Sequence, residues 1–315
     1  MTARLTRATF LAATPLVLAA RPAHAQDAPL RVGCVPTDGF SEAWYAQEMG
    51  FFQKAGLPVE ITQMNNGQGS VTAVAANAID VGISSVIAIA NAAIRGIPMG
   101  YIGAGNLFDN TNPSLALCVA KDSPLKSAKE FEGQTIAVAG LRDGTNLSAA
   151  VYLIKNGVDL TKVKFVEMPF PEMAPALKRG TIAGATVSEP FLTGGAADIR
   201  AIPDAFAAVD NRYLLGGWFS SRTFAQTQRA KAAKFMAVIY DTGKWANANH
   251  AKSGEILEKY SKMNGATIAK MTRATFAENM TTAMLDSTLR WAAQLKFIER
   301  PISSSELILP VSSRA

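Results

Sequence analysis

The fold class this sequence predicts is an α/β chain of two lobes, each a mainly parallel sheet flanked by helices, with extra helices at the C-terminal end. Three observations predict it. A block from Leu30 to about Ser85 reads strand, loop, helix, strand, helix, strand, and the stretch from Thr135 to about Glu189 repeats that order. Two further apolar runs, 114–120 and 213–219, stand where the chain would pass from one copy to the other and back. Beyond about Arg222 the apolar residues recur at helical spacing.

The first lobe opens with a strand over Leu30 to Val35. A helix follows in which Phe40, Trp44, Tyr45 and Phe51 share a face, and it stops at Gly56. Val59 to Met64 is the second strand, Asn65 to Ser70 a small-polar turn, and Val71 to Asn77 a short Ala-rich helix. Ile79 to Ile83 is the third strand, and Ser84-Ser85 opens a helix reaching about Arg95. Tyr101 to Ala104 reads as a fourth strand, with Asn106 to Pro113 as an irregular link. In the second lobe Thr135 to Gly140 starts the repeat, a helix ends at Gly157, and Thr181 to Pro190 closes it. Phe276, Met280 and Met284, continued by Leu285, Leu289 and Ala292, form a helical stripe suited to packing on the first lobe. Pro301 and the Ser-rich tail after it read as loose termination. These breaks divide the chain into a leader at 1–25, a first lobe at 26–113 and 220–315, and a second lobe at 114–219 that includes both crossing strands.

The leader carries Arg4 and Arg7, an apolar run from Phe10 to Ala20, and Ala23-His-Ala25 before Gln26. Those are the three parts of a secretory signal peptide cleaved after Ala25, which places the mature chain in the periplasm. One Arg is missing for a twin-arginine signal, so general export is expected. Cleavage removes Arg4, Arg7 and Arg21 and takes the net charge from +6 to +3. With its basic residues scattered as well, the chain gives no sign of a nucleic-acid partner. Cys34 and Cys118 each sit in an apolar strand-like run; a disulfide is possible after export, and two buried free thiols fit better. After cleavage His250 is the one histidine left, in a polar helical context. That argues against a His-based metal site, a Ser-His-Asp triad or a Cys-His pair. No metal, cofactor or catalytic residue is expected.

In parallel sheets a ligand lies outside the carboxyl ends of the strands, where loops enter helices. The first lobe offers three such loops, with Thr37, Asp38 and Phe40, then Asn65, Gly67 and Gln68, then Ser84 and Ser85. The second offers Gly140, Arg142, Thr145 and Asn146, then Pro169-Phe170, then Glu189. Asn106 in the link and Trp218 in the returning run complete the candidate ligand contacts. Exposed helix N-termini favour an anion or a polarised oxygen. Arg142 could hold a sulfonate or carboxylate in paired hydrogen bonds, or pair with Asp143. Glu189 could take an amino group or a backbone N–H. Gly67-Gln-Gly-Ser-Val-Thr72 lacks the third glycine of a dinucleotide fingerprint.

Four sets of residues carry a resemblance. They are Val32-Gly-Cys-Val-Pro36 with Gly50-Phe-Phe-Gln-Lys-Ala-Gly-Leu57, Ala78-Ile-Asp-Val-Gly-Ile-Ser84, Val119-Ala-Lys-Asp-Ser-Pro124 with Gly133-Gln-Thr-Ile-Ala-Val138, and Val187-Ser-Glu-Pro190. In order and spacing the chain resembles the solute-binding proteins of bacterial ABC importers, in the branch for nitrate, sulfonates, taurine and thiamine-pyrimidine precursors. The resemblance implies a two-lobed periplasmic-binding-protein fold (type II, Venus flytrap) that delivers a small-molecule ligand, as a monomer, to ABC permease and ATPase subunits. It also implies that the loops after Pro36, Gly67, Ile83 and Gly140, with Glu189, line the site. Arg142-Asp143 stands where many relatives carry small or hydroxyl residues, so the ligand stays open between sulfonate and carboxylate types. The competing expectation is an enzyme on the same fold, like the thiamine-pyrimidine synthases or menaquinone-pathway lyases.

Overall fold

The structure is a computed structural model that describes residues 28–311, so the leader and its cleavage after Ala25 lie outside the described residues. The strands in chain order are Leu30–Cys34 (β1), Val59–Gln63 (β2), Val81–Ser84 (β3), Met99–Asp109 (β4), Leu115–Ala120 (β5), Thr135–Val138 (β6), Lys164–Glu167 (β7), Gly184–Ser188 (β8), Ile199–Ile202 (β9), Arg212–Ser221 (β10) and Thr275–Phe276 (β11). They form two sheets, ordered β11-β4-β10-β3-β1-β2 and β7-β6-β8-β5-β9. The duplication read from the sequence appears strand by strand. β2-β1-β3 and β7-β6-β8 are the same parallel trio, and each is followed by an antiparallel neighbour, β10 beside β3 and β5 beside β8.

Burial explains why the central strands are apolar throughout instead of alternating. β1 and β3 lie between two clusters of side chains, one built on Trp44, Tyr45, Trp218 and Phe235, the other on Ile87, Tyr101, Phe108 and Phe219. The second sheet is likewise enclosed, by Met173, Leu177 and Phe191 on one side and Phe131, Ile136 and Leu153 on the other. Strands covered on both faces need no polar register. Cys34 in β1 and Cys118 in β5 belong to different sheets, and both are buried free thiols.

Several boundaries differ from expectation. The strand expected at 101–104 runs from Met99 to Asp109, because β4 is paired along its length with β10 and, near Asn106, with β11. Asn106 therefore belongs to a strand, opposite Gly216 and between two register shifts of β10. β10, grouped with the second lobe as a crossing strand, lies in the first sheet over its whole length. The crossings are made by the short segments 110–114, between β4 and β5, and 203–211, between β9 and β10. The turn at 65–70 is already helical from Gly67, since Asn66 Oδ1 accepts from Gly69 N at 2.9 Å. Phe276 is in β11, and the helix carrying Leu285, Leu289 and Ala292 begins only at Ala283. The tail is not loose within the described residues: Ser304–Leu307 is helical, Leu307, Leu309 and Val311 are buried, and Ile308 bridges to Tyr101.

Candidate functional site

A cleft lies between the carboxyl ends of the two sheets, and both lobes supply its walls. Thr37, Phe40, Gly67, Gln68, Ser84, Ser85 and Asn106 line it from the first, and Asp143, Gly144, Thr145, Phe170 and Ser188 from the second. It encloses about 640 Å³ of empty space including its mouth, yet the centre of a water-sized sphere reaches only about 70 Å³ of it. That is room for a few waters or a ligand of similarly few heavy atoms.

Four helices begin at this cleft: Gly67–Ala75, Val86–Ile94, Gly144–Lys155 and Phe170–Lys178. Each follows a strand of a parallel trio, so the topology alone aims their N-termini at one place. The residues ahead of them, Asn66, Ser85, Asp143 and Pro169, all have extended backbone, as N-caps do. Asn66 and Asp143 cap their helices through side-chain oxygens; Ser85 makes no such bond, and its hydroxyl instead accepts from Gly144 N across the cleft at 3.2 Å. Asn66 Nδ2 spans the lobes too, donating to the Ala139 carbonyl and to Glu167 Oε1, both at 3.1 Å. The lobes are therefore in direct contact around the cavity.

On the wall, the Ser84 hydroxyl and Asn106 Oδ1 are buried without a hydrogen-bond partner. Buried polar atoms of this kind cost about 1–3 kcal/mol each when unpaired, so a ligand that pairs them recovers that cost. Asp143 is the ionisable side chain of the wall. Burial pushes its carboxyl up to about 6 against the opposing pull of bonds from Asn146 N and Thr145 Oγ1, with the nearby Glu167 charge adding to the rise.

Other expected contacts are engaged elsewhere. The Arg142 guanidinium is exposed and donates to the carbonyls of Lys296 and Phe297, both at 2.9 Å, outside the cleft. Asn146 turns its Oδ1 to Arg142 N, and Gly140 sits behind Asp143. Asp38 is fully enclosed: Arg273 Nε and an Arg273 terminal nitrogen each reach one of its oxygens at 2.8 Å, and Tyr45 donates to it as well. Burial would raise that carboxyl, but Arg273 outweighs it and holds Asp38 below the ordinary carboxylate range. Glu189 accepts from Thr193 N and Thr193 Oγ1, at the start of the helix Phe191–Gly194, and from Thr272 N at 3.4 Å. Burial raises it despite these bonds. Trp218 is core, its indole N–H donating to Glu42 Oε2 at 2.8 Å. Asn65 is exposed on the loop, and its neighbour Asn66 takes the wall position.

Sequence reasoning misses Val35, Leu115, Ala139 and Leu215 on the wall, does not single out Gly39, Asn66 or Ser188 within the expected loops, and reads Asp143 only as a partner for Arg142. A signal for Asn66 and Asp143 existed. An Asn or Asp followed three residues later by a helical backbone amide is a cap, and caps of loop-to-helix turns sit at the ligand end of such sheets. Among the described residues no group of His, Cys, Asp and Glu could hold a metal ion, and no helix is long and apolar enough to cross a membrane.

Two duplicated lobes closing on a cleft of helix N-termini define the periplasmic-binding-protein class of fold, and solved structures agree. The alkanesulfonate-binding protein SsuA from Xanthomonas axonopodis pv. citri, bound to MOPS, is similar with a TM-score of 0.73 at 17% identity, over 91% of this chain and 99% of that one. The ligand-binding component of an ABC-type import system from Staphylococcus aureus, with zinc bound, gives 0.77 at 14%, over 91% and 98%. The desulfurization enzyme DSZB gives 0.63 at 14%, over 90% and 96%. More specifically, the chain belongs to the NMT1/THI5-like family, whose model matches residues 39–253. A comparison with curated proteins finds no match.

Proposed function

We propose that this protein is the exported solute-binding component of an ABC importer. It captures a small organic anion or zwitterion, of sulfonate or carboxylate type, between its lobes and delivers it as a monomer to a permease with its ATPase. The observation that carries this reading is the pairing of the lobes around the cavity through Asn66 with Ala139 and Ser85 with Gly144. A ligand touching both walls binds the closed state better than the open one, which is the requirement for binding to drive closure. The converging helix N-termini suit an oxyanion, each contributing about 0.3–2 kcal/mol. The names of two similar structures, an alkanesulfonate-binding protein and an importer component, point the same way.

A thermal-shift panel of sulfonates, aliphatic and aromatic carboxylates, nitrate and pyrimidines on the mature protein tests it. A ligand at a thousand times its dissociation constant adds about 4 kcal/mol, a shift on the order of 10 °C at this size. A panel with no shift counts against the reading.

A second reading, an enzyme, is favoured by Asp143, whose carboxyl near pH 6 is suited to proton transfer, and by the likeness to DSZB. Ligand recovered unchanged after prolonged incubation, followed by NMR, supports the binding protein; conversion of the ligand supports the enzyme.

A further inference from the structure

We propose that Asp143 makes the site selective for a ligand bearing an amino nitrogen, a small zwitterion held with its anionic end on the first lobe and its ammonium on the second. This rests on the binding-protein reading and narrows its ligand class.

Charge on the cleft wall is the first observation. The lining residues include no Lys, Arg or His, and Asp143 is the charged side chain among them. Arg142, the cation that could have neutralised an anion here, gives its guanidinium to the Lys296 and Phe297 carbonyls outside the cavity. A bare anion entering this space meets a carboxylate with no balancing cation on the wall.

The second observation is the division of labour between the walls. On the first lobe stand the buried and unpartnered Ser84 hydroxyl and the start of helix Val86–Ile94, whose cap residue Ser85 accepts no side-chain bond from its backbone N–H groups. Ser84 can donate to an oxyanion there. On the second lobe Asp143 Oδ1 accepts from Asn146 N and Thr145 Oγ1, and the Thr145 backbone N–H lies by the same carboxylate; Oδ2 is the oxygen left to accept from a ligand. The narrow cavity between them limits the ligand to a short molecule whose two ends reach both walls at once. An ammonium on Asp143 and an oxyanion on Ser84 make the ligand itself the ion bridge between the lobes.

The groups that bear on Asp143 set its pH behaviour. Glu167, at the end of β7, faces it from the neighbouring strand and disfavours its ionisation; Arg142 turns away, and Thr145 and Asn146 are neutral. Zwitterion capture therefore weakens as the medium is acidified through about pH 6.

The test compares two isosteric pairs by calorimetry on the mature protein: taurine against ethanesulfonate, and β-alanine against propionate. Each is measured with wild type and with Asp143→Asn. The expected result is at least a tenfold preference for the amino-bearing member of one pair at pH 7.5, smaller at pH 5. In Asp143→Asn the preference collapses because ethanesulfonate or propionate gains affinity while the amino partner loses it. Circular dichroism and melting of the variant confirm that it is folded. Equal affinities within both pairs, or a preference that survives in folded Asp143→Asn, overturns the proposal. So does failure of all four when another member of the wider panel binds; failure of the whole panel sinks the binding-protein reading instead.

Discussion

Arg142, at the tip of the second lobe, donates a 2.9 Å hydrogen bond to the carbonyl of Phe297, just beyond the helix Ala283–Gln294 that packs on the first. The same carbonyl accepts from Asn91 Nδ2 of the first lobe, and Lys296 O takes a second bond from Arg142. The guanidinium is thus a clasp between lobes outside the ligand space. It adopts φ 59°, a left-handed backbone that points the following residue, Asp143, to the cleft while its own side chain leaves it.

A clasp and a ligand contact have different signatures. Arg142→Ala removes bonds that exist in the closed form, at about 1 kcal/mol after allowing for exposure. Affinity for every ligand then falls by the same factor, roughly fivefold, with the order of preference unchanged. Calorimetry across several ligands checks this. A loss confined to anions with one geometry would mean that Arg142 touches the ligand after all.

Much of this was legible beforehand, and the residues say why. The order of β1, β2 and β3, and of β6, β7 and β8, follows from apolar runs and glycines that leave little choice of period. The cleft loops follow in turn from that order. Thr37, Phe40, Gly67, Gln68, Ser84, Ser85, Asn106 and Thr145 lie on its wall. What could not be read is where a long polar side chain points. Asp38 and Glu189 sit at the correct strand ends, but Arg273 and Thr272, more than eighty residues from Glu189 and further still from Asp38, turn them inward. No local pattern announces a partner that only the tertiary fold delivers. Trp218 belongs to the same class, its indole claimed by the buried Glu42, whose carboxyl burial holds well above its ordinary range despite that bond.

The Asp38 and Arg273 pair should be a stability element. Its two side chains are 1% and 7% exposed, so either partner left alone is a buried charge without compensation. Arg273→Ala is expected to cost about 3–5 kcal/mol, on the order of 10 °C in melting temperature. Arg273→Lys keeps the charge but loses the two-pronged bond to both Asp38 oxygens, and falls between. Melting followed by circular dichroism distinguishes them; a drop of a degree or two for Arg273→Ala would show the pair to be dispensable.

Gly144 tests closure sterically. A Cβ built there lies 3.2 Å from Ser85 Cβ on the opposite lobe, so a side chain at this position is resisted chiefly when the lobes meet. Gly144→Val should lower affinity by roughly tenfold, about 1.4 kcal/mol, while the ligand-free melting temperature stays within a few degrees. Small-angle scattering of the variant with ligand should give a radius of gyration nearer the ligand-free value. Full compaction at unaltered affinity would refute the contact.

Asp143 also predicts how stability depends on pH without any ligand. Its folded carboxyl titrates near 6, above the unfolded value near 3.9. The folded state therefore holds the proton more tightly, and its stabilising contribution is complete below about pH 4. It fades as pH rises through 6. Two units correspond to about 3 kcal/mol, and the residue keeps some solvent contact, which reduces the expected cost at pH 7.5 to roughly 1–2 kcal/mol. Asparagine caps a helix about as well as aspartate, so Asp143→Asn keeps the bond to Asn146 N while removing the buried charge. The variant should be more stable than wild type at pH 7.5 and lose that advantage at pH 4, where the wild-type carboxyl is protonated too. Urea melts at the two pH values measure the difference directly, and an advantage of the same size at both would mean that burial of the charge is not its cause.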